Sequence, residues 1–279
     1  MTEIRLVLKA DGTTEPFDSS KLKNSLTKSD ASDVLANEIT AKIEKNLKKV
    51  TSTDEIYKTA YKLLKKTKNK TAARYSMKRT ILDMGPTGFP FEKFVAKIFA
   101  EKKYKTMVGI MLDGFCTDHE IDVIAEDEDD LLFCEVKFHN DLKTKTDTRV
   151  ALYVKARFDD LKEKEYDLFD KRMKPTKGIV ITNTGFTTSA EKYAKCVGLG
   201  MISWDYPKKG NLYDLIAETK LQPITSLTTL SKNDKKRLIE EGIIVCRDLL
   251  SNKQILSTIG LGKNKSNKIL TEAKEVCSY

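Results

Sequence analysis

Three residues near the middle of the chain have the types and spacing of a hydrolytic site. In the run Phe133-Cys134-Glu135-Val136-Lys137-Phe138, period-two alternation puts Glu135 and Lys137 on one face of a strand and the apolar residues on the other. A carboxylate and an ammonium inside so apolar a strand are unfavourable to bury without purpose. Asp122 stands in a similar setting between Ile121 and Val123 in the preceding strand. If the two strands pair across the acidic turn at 126–130, a register with residue 122 opposite about 134 brings Asp122 next to Glu135. The two carboxylates then repel unless a cation lies between them, and hard oxygen ligands with open water positions suit Mg²⁺, with Mn²⁺ as a substitute. Lys137 is then placed to orient or deprotonate a water, while the ion polarises a phosphoryl oxygen. Taken alone, the D…ExK spacing more often marks edge-strand charges facing solvent.

Positioning these groups requires a sheet and covering helices, and the neighbouring patterns supply both. Phe91, Phe94, Val95, Ile98 and Phe99 make a helical stripe, followed by a strand near 105–112, then strands at 119–125 and 131–138. A long helix is expected over 148–170, a buried strand over 178–182, a helix over 189–198 and a short strand over 200–204. Mixed α/β is the implied class. Ahead of this lies a β-hairpin, Ile4 to Lys9 and back through Glu15, with a helix from about Ser19, further helices near 31–49, 53–66 and 69–83, and Gly85-Pro86-Thr87-Gly88 as linker. After Pro223 only short helices broken by Gly242, Gly260 and Gly262 are expected, a separate all-α module. The predicted division is 1–86, 87–217 and 218–279.

The chain has 279 residues, 40% apolar and 33% charged, with a net charge of +9. That charge is uneven: +7 over residues 1–86, −2 over 87–217 and +4 over 218–279. Two basic flanks suit a polyanionic partner, and equally a lysine-rich solvated surface. No run of about 20 apolar residues suggests a membrane span. Five scattered cysteines without CxxC spacing read as buried thiols of a reducing cytoplasm rather than a disulfide framework or zinc knuckle.

The full middle constellation resembles a known family. Phe91-Glu92, Gly114, His119-Glu120-Ile121-Asp122-Val123, Glu135-Val136-Lys137-Phe138-His139-Asn140, Leu152-Tyr153-Val154, Arg157-Phe158-Asp159-Asp160, Ile181-Thr182-Asn183 and Gly185-Phe186-Thr187 look like the restriction-endonuclease-like PD-(D/E)xK superfamily, closest to its Mrr-like branch, over about 87–206. The resemblance implies Asp122 and Glu135 as metal ligands, Lys137 as the catalytic lysine and Glu92 as an acidic residue contributed by the first helix. His139 is expected to make a structural hydrogen bond.

The flanks resemble other families. Val7-x-Lys9-Ala10-Asp11-Gly12, Glu15, Phe17-Asp18-x-x-Lys21-Leu22 and Ala73-Arg74-Tyr75-x-x-x-Arg79 are similar to the ATP-cone, the nucleotide-sensing domain of ribonucleotide reductases and their repressor, with Ala10 where arginine is usual. This implies an ATP or dATP site near Val7, with Lys9 and Lys21 as charges for a triphosphate. The run from Leu230 to Ile269, with Gly242, Gly260 and Gly262, looks like paired helix-hairpin-helix units. It implies DNA-backbone contacts from Gly260, Gly262, Lys263, Lys265 and Lys268. A small protein-binding helical domain is the alternative. Together these imply a Mg²⁺-dependent DNA endonuclease governed by ATP or dATP, a homodimer or higher oligomer. The rival reading is a nucleotide-responsive regulator that binds DNA without cutting it. No GxxxxGK[ST] loop is present, which disfavours nucleotide hydrolysis.

Overall fold

A computed structural model describes residues 5–9, 12–29, 31–67, 71–72 and 75–277. Ile4, used in the expected hairpin, and Ala10, Asp11, Ala73 and Arg74, used in the amino-terminal resemblance, lie outside the described residues. The chain divides into two compact units, one built mainly from residues up to Arg79 and one running from Thr80 to Ala273. No helix among the described residues is long and apolar enough to cross a membrane.

In the first unit, β1 (Leu6–Leu8) pairs antiparallel with β2 (Thr14–Pro16), the expected hairpin. On its other side β1 pairs in parallel with β3 (Val50–Ser52), a three-residue strand too short to display a period. Helices α1 (Ser19–Lys28), α2 (Asp33–Lys45) and α3 (Thr53–Thr67) bury Leu22, Leu26, Ile39, Ile43 and Leu64 against Val7 of β1. Asp18 caps α1 by accepting the amide hydrogens of Ser20 and Lys21. The short helix α4 (Met77–Leu82) follows.

The second unit opens with α5 (Phe89–Glu101), whose Phe91, Phe94, Val95 and Ile98 are buried. A meander of β4 (Lys105–Asp113), β5 (Asp118–Glu126) and β6 (Leu131–Lys137) comes next. Beyond the two-residue β7 (Lys145–Thr146) and the helix α6 (Thr148–Leu161), a hairpin of β8 (Tyr166–Leu168) and β9 (Lys171–Met173) leads to β10 (Lys177–Thr182). Then come β11 (Gly185–Phe186), α7 (Thr188–Val197), β12 (Gly200–Ile202) and α8 (Leu212–Thr219). The sheet order is β12-β10-β6-β5-β4, with β6, β10 and β12 parallel and β4, β5 and β6 antiparallel. The mixed α/β class expected from the sequence is the observed one. As the central strand, β6 has every residue from Leu131 to Val136 buried.

Several expectations are corrected. The helix predicted over 148–170 ends at Leu161, because after the charged run 162–165 the apolar residues Tyr166 and Leu168 alternate as a strand. Phe169 and Asp170 both take positive φ (49° and 65°) to turn that hairpin. The last third is not confined to short helices: after α9 (Lys232–Glu240), α10 (Cys246–Ser251) and α11 (Ile255–Thr258), the helix α12 (Lys263–Cys277) spans 15 residues. Of the cysteines only Cys134 and Cys246 are buried; Cys116 and Cys196 are exposed.

Candidate active site

The D…ExK residues meet where β5 and β6 part. Val123 pairs with Cys134, one step from the expected register, and the ladder runs from there to Glu126 and Leu131. Continued one residue further, this register sets Asp122 directly opposite Glu135. Instead of a ladder bond, the Asp122 Oδ2 accepts the backbone N–H of Val136 at 2.6 Å. The side chain has taken the place of a strand partner, and the strands separate beyond it.

The separation has a backbone cause. Ile121 and Ile124 lie in one buried cluster with Phe133, although strict alternation would send residues three apart to opposite faces. Met107 and Ile110 on β4 pack on the same cluster, and between them Gly109 adopts φ +65°. Both strands therefore turn over at the level of Asp122, and the positive φ that makes this possible on β4 favours glycine.

Glu135 is 9% exposed and is held from two sides. Lys137 Nζ lies 3.2 Å from its Oε1, and Arg157 of α6 donates to its Oε2. Lys137 itself is 42% exposed, so its ammonium reaches solvent. Glu135 pairs across the sheet with Val180, which packs against Ala151 and Val154 of α6, so the face carrying Glu135 is the one α6 covers.

Burial, then the negative charge of Glu135, pushes the Asp122 carboxyl up to about 6, against the Val136 N–H and the Arg157 and Lys137 cations. Glu92 on α5 is half-buried, and burial followed by the charges of Asp122, Glu120 and Glu135 raises its carboxyl to about 7. The structure thus brings all four candidate residues of the middle region, Glu92, Asp122, Glu135 and Lys137, within electrostatic reach. A cation bound among these carboxyls would lower them again.

The donor set fits a hard divalent cation. Asp122 Oδ2 is bound by the Val136 N–H and no hydrogen bond to Asp122 Oδ1 is made among the described residues, whereas Glu135 Oε2 is held by Arg157 and Oε1 by the partly exposed Lys137. Among the described residues no three His, Cys, Asp or Glu side chains are gathered as a ligand group. Mg²⁺ commonly takes one or two carboxylates and keeps its other positions for water or substrate oxygens.

The strand end is braced by His139, Asn183 and Thr146. Asn183 donates to the carbonyl oxygen of His139 (2.9 Å) and accepts its N–H (2.8 Å), continuing the β6–β10 pairing past Lys137 with an amide side chain. His139 Nε2 lies 2.8 Å from Thr146 Oγ1, the structural hydrogen bond expected of it. Arg157, part of the resemblance but without an assigned role, lies on the buried stripe of α6, three residues after Val154 and four before Leu161.

In the first unit, Val7 is buried in β1, and Lys9 and Lys21 converge on one carboxylate. Glu15 Oε2 is 2.6 Å from Lys9 Nζ and Glu15 Oε1 is 3.1 Å from Lys21 Nζ, and these two hydrogen bonds hold the Glu15 carboxyl below its usual range. At the other end of the chain, Gly260 adopts φ +76° and Gly262 has nothing within 4 Å of an added Cβ. Lys263 opens α12 exposed, but Lys265 Nζ lies 2.6 Å from Asp234 Oδ2. Asp234 also caps α9 through Ser231, so Lys265 is engaged within the fold.

Family profiles match three consecutive parts of the chain: an ATP cone domain over residues 5–83, a restriction endonuclease over 84–208 and an AF1548-like C-terminal domain over 223–277. An uncharacterized protein of Archaeoglobus fulgidus is 33% identical over 183 residues, which is 65% of this chain and 99% of that protein. A crystal structure of a protein of unknown function, AF1548, shares 32% identity with a TM-score of 0.57, covering 68% of this chain and 98% of that one.

Proposed function

From the premise that this chain belongs to the AF1548-like family, carrying an ATP cone ahead of its restriction-endonuclease-type domain, we propose that it is a divalent-metal-dependent DNA endonuclease controlled by ATP or dATP. The observation that carries this reading is the facing of Asp122 and Glu135 at the open end of the β5–β6 ladder, with Lys137 on the same carboxylate. In this reading residues 1–86 sense nucleotide, 87–217 cut and 218–279 hold the DNA backbone.

Asp122 and Glu135 would hold Mg²⁺, which when bound supplies Lewis-acid polarisation of the scissile phosphate. Lys137, partly exposed and beside Glu135, orients the attacking water and favours its deprotonated form by charge. Glu92, raised to about 7, is matched to take up or return a proton near neutral pH. On the cone, Lys9 and Lys21 would exchange Glu15 for the phosphates of a nucleotide lying along β1 at Val7. In the C-terminal domain, the turn at Gly260 and Gly262 would present amides at the start of α12 to a DNA phosphate, with Lys263 and Lys268 adding charge in the manner of a helix-hairpin-helix.

The deciding experiment incubates the purified chain with supercoiled, linear and branched DNA, with Mg²⁺ or EDTA and with or without ATP or dATP. Mg²⁺-dependent nicking or linearisation is expected. DNA binding without cleavage under every condition would favour the regulator instead.

A further inference from the structure

Beyond the Val123–Cys134 pair, β5 and β6 are bridged by one helix residue. Arg157 of α6 donates through one terminal nitrogen to Glu135 Oε2 on β6 and through the other to the Glu120 carbonyl oxygen on β5. The rigid guanidinium fork can span two acceptors on separate strands, which the single ammonium of lysine cannot do in the same plane. Its side chain is only 13% exposed and its Nε is buried without a hydrogen-bond partner. The placement of the group is therefore set by the two acceptors rather than by satisfying all its own donors. Beside it, Ile121, Phe133, Val154 and Phe158 wall a small pocket, so apolar carbon lies against the bond on that side.

We propose that Arg157 is the positioning residue of the metal-ligating pair. Its clamp on Glu135 Oε2 parallels that of the Val136 N–H on Asp122 Oδ2, while Glu135 Oε1 stands 3.2 Å from Lys137 Nζ. By tying Glu135 Oε2 to the backbone of β5, Arg157 also sets how far the strands part, and with it the span between the two carboxylates. The inference rests on the reading of Asp122 and Glu135 as metal ligands. Donors that orient ligating carboxylates in this way commonly hold about 10–100-fold of a site's metal affinity.

The test titrates Mn²⁺ into the full-length protein, following free Mn²⁺ by electron paramagnetic resonance, and records thermal unfolding in EDTA for the same samples. Arg157→Gln is expected to weaken Mn²⁺ binding by about 10–100-fold, and Arg157→Lys to recover part of that loss. Asp122→Asn should remove the binding. A glutamine variant that binds Mn²⁺ as the wild type does, or more tightly, would overturn the proposal even with a lowered melting temperature, because Arg157 would then act by packing or charge balance alone. Should the glutamine variant not fold, full affinity in the lysine variant overturns it equally. Mn²⁺ binding that Asp122→Asn leaves intact, or no binding by the wild type, would sink the ligand reading and this proposal together. Binding that depends on Asp122 but is indifferent to Arg157 would sink the proposal alone.

Discussion

Asp122 and Glu135 face each other across the point where the β5–β6 ladder ends, and burial with their mutual repulsion raises the Asp122 carboxyl from 3.8 to about 6. A raised carboxyl means that the folded chain keeps a proton which the unfolded chain has already released. The stabilisation this gives is present below pH 4 and is lost as the pH climbs through about 6. At neutral pH the metal-free protein therefore carries an unfavourable charge at Asp122. Asp122→Asn should raise the melting temperature in EDTA at pH 7.5, by the equivalent of about 2 kcal/mol, and should make little difference at pH 4. Paired thermal scans at the two pH values check this, and equal shifts at both would remove the electrostatic explanation.

The same protons compete with a cation. Glu92 at about 7 and Asp122 at about 6 must both release a proton to leave the site fully anionic, so Mg²⁺ or Mn²⁺ affinity should fall steeply from pH 8 to pH 5.5. Glu92→Gln should flatten the upper part of that profile. Calorimetric titrations at several pH values give the curve directly, and a pH-independent affinity would place the ion elsewhere.

Cleavage and binding should separate by substitution. Asp122→Ala, Glu135→Ala and Lys137→Ala each remove a group from the reacting centre, and a loss of at least about a hundredfold in cleavage is expected for each. DNA affinity should change little, since in the proposed reading it derives chiefly from lysines on the flanks. Nicking assays beside gel-shift titrations make the comparison. Undiminished nicking by the Glu135 variant would end the assignment of this site.

The candidate pair was legible because its signals are local. Apolar alternation around Glu135 and Asp122 marks two strands, and a short acidic turn between them fixes their pairing to within one residue. What stayed hidden depends on geometry that no spacing encodes. The reversal at Gly109 and Asp122 breaks the period-two rule at the candidate site itself, and the contact of Arg157 with Glu135 comes from a helix that begins eleven residues beyond β6. The β8–β9 hairpin was masked by a charged run that reads as the continuation of α6. The parallel β1–β3 pairing joins segments more than forty residues apart, beyond the range of any local pattern.

On the cone, Glu15 occupies the two lysines that a triphosphate would use. A nucleotide must displace this carboxylate, so Glu15→Gln should strengthen ATP or dATP binding by about two- to fivefold, an effect sized for exposed ion pairs. Lys9→Ala and Lys21→Ala should weaken it, and neither should alter cleavage measured without nucleotide. Isothermal titration of the full chain reads all three. Weaker binding by the glutamine variant would show that Glu15 serves the nucleotide rather than competing with it.

The lysines at the start of α12 are expected to behave differently from one another. Lys263 and Lys268 are exposed, and each phosphate contact they make should contribute about 0.9 to the slope of log K against log salt. Lys265 instead pairs with Asp234, a buried carboxylate that also accepts the Ser231 N–H to cap α9. Its loss leaves Asp234 capping the helix without its counter-charge. Lys265→Ala should therefore lower stability by about 1 kcal/mol while leaving the salt slope nearly unchanged. Lys263→Ala and Lys268→Ala should do the reverse. Point substitutions are the proper probe here, because removing residues 218–279 would also strip Asp248 from Lys97 and leave the Thr80 carbonyl oxygen without the hydroxyl of Thr225. Affinity for a short duplex measured between 50 and 200 mM salt, beside melting temperatures, separates the two behaviours. A reduced salt slope in the Lys265 variant, with stability intact, would move that lysine from the fold to the DNA.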